Sequence, residues 1–196
     1  QTVLVSDGRQ TYALMHVSDT PFNLNVENPP NYQRITGNLT FGATNVALGE
    51  LNFLALDPRV VVVPISNGVA MRLGAKIYNL AAEPFKFPEV VLVRADDGRY
   101  GETTFRIDQA DRRFVRLDNR IATRLFGEIT PRRGDLVFAK TGELIGIMVN
   151  NNYCAVLGDF TPVQKLSVGE NIEQQDTSVV LRDLAARVMR LPERLR

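Results

Sequence analysis

The sequence predicts an all-β protein in two antiparallel halves, residues 1–82 and 83–170, followed by a C-terminal α-helix and tail over residues 171–196. Three observations predict it. Short strand-like runs recur at regular spacing with turn signals between them, which favours a sandwich or barrel over a helical or βαβ plan. The stretch Ala82-Glu-Pro-Phe-Lys-Phe-Pro-Glu89 carries two prolines that cannot join a central ladder, and it reads as the junction between the halves. Near the end, Val180, Leu181, Leu184, Val188 and Leu191 recur at helical spacing behind a cap candidate at Asp176 or Thr177, with Pro192 as a stop.

In order, Thr2 to Val5 and Thr11 to Val17 read as a first hairpin, with Asp7-Gly8 as its turn dipeptide. Ser18-Asp-Thr-Pro21 ends it, and the asparagine- and proline-rich segment from Asn23 to Tyr32 reads as a surface loop. Gln33 to Phe41 and Asn45 to Leu48 are predicted as short strands, and so is Leu51 to Leu56, stopped by Asp57-Pro58. Arg59 to Ile65 is almost continuously β-branched, the composition of a buried strand. Ser66 to Leu80 reads as two weak strands around Gly68 and Gly74. The second half follows the same plan, with Val90 to Arg94, a turn at Asp97-Gly98, Tyr100 to Ile107, Arg113 to Leu117, a long hairpin, Tyr153 to Leu157 and Pro162 to Val168.

Composition bounds the partners. The chain has 196 residues, 44% of them apolar, enough for one large β domain or two small ones. A net charge of +1 supplies no field to draw in nucleic acid or an anionic membrane. A single cysteine, Cys154, excludes an internal disulfide. No apolar run reaches the roughly 20 residues that span a bilayer, and no secretory leader opens the sequence. Nucleotide loops and zinc spacings are absent, so no cofactor or metal is expected, and the Asp108, Asp111 and Asp118 region reads as charged surface, not as a calcium loop.

The most informative stretch is Glu128-Ile-Thr-Pro-Arg-Arg-Gly-Asp-Leu-Val-Phe-Ala-Lys-Thr-Gly-Glu-Leu-Ile-Gly-Ile-Met-Val-Asn150. Two apolar runs, Leu136 to Phe138 and Leu144 to Val149, flank a turn with glycine at Gly142. Gly134-Asp-Leu-Val-Phe138, Lys140-Thr-Gly-Glu143 and Leu144-Ile-Gly-Ile147 resemble the hairpin of the second barrel of trypsin-like serine peptidases. The resemblance is one of layout over most of the chain, and it implies two antiparallel β-barrels of trypsin-like type with a C-terminal helix.

That resemblance also assigns positions. His16, the only histidine, stands where the family has its catalytic base, at the end of the strand that closes the first hairpin. Asn52 stands at the position of the orienting aspartate, where loss of the carboxylate costs of order ten-thousandfold in a serine triad. Glu50, two residues earlier, is a candidate substitute on the same face. Arg132 falls on the nucleophilic serine, whose loss costs about a millionfold. Pro131 has no N–H for an oxyanion. The expectation is therefore a catalytically inactive trypsin-like domain that binds a peptide or protein, with Arg132, Arg133 and Asp135 as binding candidates. Arg132 and Arg133 are expected to pair with Asp135, Glu128 or a bound carboxylate. Two alternatives stand beside it: a hydrolase using His16 with Ser18, Ser66 or Cys154, and a purely structural domain of a larger protein.

Overall fold

The structure is a computed structural model that describes residues 2–118, 129–170, 172 and 174–196. It is predominantly β, with one closed six-stranded barrel and a C-terminal helix. The first half contains β1 (Val3–Ser6), β2 (Thr11–His16), β3 (Asn38–Phe41), β4 (Thr44–Ala47), β5 (Glu50–Leu54), β6 (Val60–Ile65), α1 (Asn67–Leu73) and β7 (Ile77–Asn79). The second contains β8 (Glu89–Val93), β9 (Tyr100–Ile107), β10 (Phe114–Asp118), β11 (Leu136–Ala139), β12 (Leu144–Met148), β13 (Tyr153–Val156), β14 (Pro162–Ser167) and α2 (Thr177–Met189).

Local chemistry accounts for the tight connections. The β1–β2 turn closes where Asp7 accepts from the N–H groups of Arg9 and Gln10, with Gly8 at a positive φ of 88° that a side chain would resist. In the barrel, Gly146 of β12 lies so close to β13 that an added Cβ would sit 2.0 Å from the Ala155 carbonyl oxygen. Only glycine lets these two strands approach.

The barrel closes in the order β10-β13-β12-β11-β8-β9. The first half differs from the expected second barrel. It is a six-stranded sheet of order β14-β5-β6-β2-β1-β7, with no closing pairing between β14 and β7 among the described residues. One edge strand, β14, comes from the far end of the chain and pairs antiparallel with β5, while the other, β7, is three residues long. The β3–β4 hairpin stands apart as a two-stranded sheet. Within Ser66 to Leu80, expected to be two weak strands, Asn67–Leu73 instead form α1: Ser66 accepts from the Val69 N–H at its start, and Gly74, at φ 64°, ends it in the left-handed conformation.

The sheet is buried on both faces. Ala13, Met15, Phe53, Val61 and Val63 pack with Leu181, Leu184 and Val188 of α2. Their alternating neighbours Leu14, Leu54, Val60 and Val62 pack with Leu136, Phe138 and Leu144 of the barrel. The seam between sheet and barrel is thus an apolar core, and the candidate site residues lie along it. Asp176 caps α2 by accepting from the Ser178 and Val179 N–H groups.

Candidate functional site

His16 ends β2 opposite Val60, and Asn52 lies on β5 opposite Val62. Strand alternation therefore puts both side chains on the barrel-facing side of the sheet, with β6 between their strands. They do not join. The Asn52 amide donates to Glu50 at 3.2 Å, and its Oδ1 is buried without a partner among the described residues. Glu50 also faces Lys165 at 3.5 Å, so the substitute carboxylate is engaged away from the imidazole.

The imidazole is 1% exposed. Its Nδ1 lies 2.8 Å from the Ser18 hydroxyl and 3.1 Å from the Ser18 backbone nitrogen, capping the 3-10 turn Val17–Asp19. A backbone nitrogen can only donate, so Nδ1 is the acceptor and the neutral ring carries its proton on Nε2. That Nε2–H is buried and has no acceptor among the described residues. Burial, reinforced by the charges of Arg133 and Arg59, lowers the group from 6.5 to about 3. At neutral pH His16 is uncharged.

The turn at Gly134 and Asp135 is tied inward. Gly134, at φ 88°, donates its N–H to the Met148 carbonyl at 2.8 Å, and a Cβ there would meet the His16 Cβ at 3.5 Å. The Asp135 N–H goes to the Arg132 carbonyl at 3.1 Å. In return Asp135 accepts from the N–H of Arg132 at 2.8 Å and of Ala95 at 3.2 Å. Asp135 is 3% exposed, and burial raises its carboxyl above the ordinary value of 3.8 although both N–H groups favour the anion. Arg132, Gly134 and Asp135 therefore leave no N–H for an oxyanion.

Of the expected binding residues, Arg132 and Arg133 are exposed and Asp135 is buried. The Arg132 guanidinium sits 3.6 Å from Asp96, a solvent-screened pair; Glu128 lies outside the described residues. Ser18 is exposed, Ser66 caps α1, and Cys154 is buried in the barrel, where desolvation pushes its thiol up and away from reactivity. Among the described residues no group of histidine, cysteine and acidic side chains could hold a metal, and no helix is long and apolar enough to cross a membrane.

Sequence reasoning missed two buried arginines. Arg59 and Arg94 are each 7% exposed. Arg59 looked like the first residue of a β-branched run and Arg94 like the last of an apolar one. The signal available was the charge abutting a fully apolar stretch, which asks for a partner.

Comparison of the chain with protein-family models, with curated proteins and with solved structures gives no match.

Proposed function

We propose that this chain is a trypsin-like domain without peptidase chemistry that serves as a peptide- or protein-binding module. The observation that carries the first half is the bond from the Ser18 N–H to His16 Nδ1. A serine triad needs the proton on Nδ1, held by an acid, and the lone pair on Nε2, facing the nucleophile. Here the two nitrogens have exchanged roles. Arg132 in place of a nucleophile, and its N–H engaged by Asp135, agree with that reading.

The hydrolase alternative has one contact in its favour, the Ser18 hydroxyl 2.8 Å from His16 Nδ1. Activating Ser18 would create an imidazolium inside the seam, beside Arg133 and Arg59, in a group already lowered to about 3. Such a base is too weak at neutral pH. Intact-mass analysis after incubation with a fluorophosphonate and a chloromethyl ketone is expected to show no adduct. An adduct lost in Ser18→Ala would establish the hydrolase instead.

Binding is supported by unequal sheet edges. On β14, the Gln175 side chain accepts from the Ser167 N–H at 2.8 Å and donates to the Lys165 carbonyl at 2.9 Å, blunting that edge as another strand would. The opposite edge, β7, ends the sheet order, with Ile77 40% exposed. An extended peptide adds to such an edge through main-chain hydrogen bonds. Selection from a random peptide library, followed by amide chemical-shift mapping, is expected to place bound peptides along Ile77–Asn79 or at the Arg132–Arg133 turn. Binders that perturb neither would contradict this surface.

A further inference from the structure

The seam between sheet and barrel holds a cavity of about 440 Å3 beside β1, β7, β8 and β11. Val3, Tyr78, Val93, Leu136 and Phe138 contribute apolar wall, and Arg94 and Lys140 are the cationic residues that line it, Lys140 already paired with Glu102 at 2.7 Å; among the described residues no acidic side chain lines it. Its size is in the range of small-molecule sites.

Arg94 is the unusual member. It is 93% buried by its 7% exposure, and its Nε is buried with no hydrogen-bond partner among the described residues. The nearest carboxylate, Asp97, is 3.8 Å away and is engaged by the Arg99 N–H at 2.9 Å and the Arg99 Nε at 2.6 Å. Asp135, on the adjoining turn, is held by the N–H groups of Arg132 and Ala95. A buried guanidinium whose Nε–H is left without a hydrogen bond carries a desolvation cost that an incoming anion would relieve. A carboxylate meets its planar fork with two parallel hydrogen bonds.

We propose that this cavity binds an organic carboxylate bearing an apolar group, with Arg94 holding the carboxylate, Lys140 at the rim and the apolar group against Val93, Leu136 and Phe138. The carboxylate belongs to the C-terminus of a peptide or to a free apolar acid; the chemistry recognised is shared. The site uses neither His16 nor Asn52, so it stands or falls apart from the reading of those residues.

The test titrates the protein with octanoate, with a blocked tripeptide ending in a leucine carboxylate, and with the same tripeptide as its C-terminal amide. The signals followed are the Arg94 Nε–H and the methyls of Val3, Val93 and Leu136. The expected result is a saturable shift of these signals by at least one carboxylate and none by the amide. A shift by the peptide acid alone assigns a chain terminus, by octanoate alone a free acid, and by both the shared group. Arg94→Met is expected to weaken binding about tenfold or more, the loss of a charge-assisted pair. Val3→Trp, which fills the cavity from the sheet side, is expected to abolish it and decides the matter if Arg94→Met does not fold. No shift with either carboxylate, an equal shift with the amide, or unchanged binding by folded Val3→Trp overturns the proposal.

Discussion

Arg59 and Arg94 are buried to the same depth, 7% exposed each, but only one of them is satisfied. The Arg59 guanidinium donates to Asp57 through Nε at 3.0 Å and Nη2 at 2.6 Å, and Nη2 reaches the Leu195 carbonyl at 2.6 Å. It thereby fastens the C-terminal tail to the connection between β5 and β6. Among the described residues Arg94 has only Asp97, at 3.8 Å. Burial alone does not distinguish a structural charge from a binding one; the difference lies in whether the hydrogen bonds are already made.

The two arginines should respond to mutation in opposite ways. Asp57→Ala strands Arg59 as an unpaired buried cation and is expected to cost about 3–5 kcal/mol, read by chemical denaturation. A loss below about 1 kcal/mol, the size of an exposed pair, would show that water reaches Arg59 and that the two arginines are alike.

His16, which feels the charge of Arg59, gives the next effect. Its folded value of about 3 lies below the unfolded 6.5, so the unfolded chain takes up a proton that the fold refuses. Stability from this group is fully present above pH 6.5 and is lost as the pH falls towards 3, by about 1.4 kcal/mol per unit. Asp135, raised above 3.8, works in the opposite sense: its contribution is present below 3.8 and is lost as the pH rises through its folded value, which makes the net slope shallower there. Denaturation at a series of pH values should show the loss in the native protein and a flatter profile in His16→Gln. Equal profiles would mean that another group sets the acid sensitivity.

Arg94→Met should sharpen the contrast from the other side. Replacing an unsatisfied buried cation by an apolar side chain is expected to leave stability within about 1 kcal/mol or to raise it. A loss as large as that of Asp57→Ala would reveal an internal partner for Arg94. The smallest effect belongs to Arg132→Ala: its exposed pair with Asp96 at 3.6 Å predicts a change in stability under about 0.5 kcal/mol.

What could be read in the sequence was local. The Gly142 hairpin, the Asp7-Gly8 turn, the extended β6 and the Asp176 cap of α2 all rest on neighbours a few residues apart. The helix α1 is equally local but reads wrongly as strands, because Gly68 and Gly74 suggest turns although Ser66 and Gly74 bracket one short helix. The pairing of β14 with β5 joins residues more than a hundred positions apart, and β-strand periodicity contains no information about which distant edge a strand will choose. The same limit governs the site. The layout of the sequence only suggested triad positions for His16, Asn52 and Arg132, and the tautomer of His16 depends on Ser18 folding back onto Nδ1. The emptiness around Arg94 depends on Arg99 engaging Asp97.

Whether the imidazole is turned away from catalysis can be measured directly. With a single histidine in the chain, nitrogen-15 correlation spectra of the ring show His16 alone. The expected spectrum has a bare acceptor signal for Nδ1, a protonated signal for Nε2, and no titration of either from neutral pH down to about pH 4. A proton on Nδ1 with a free Nε2, or a midpoint near the ordinary 6.5, would contradict it and return His16 to the role of a base.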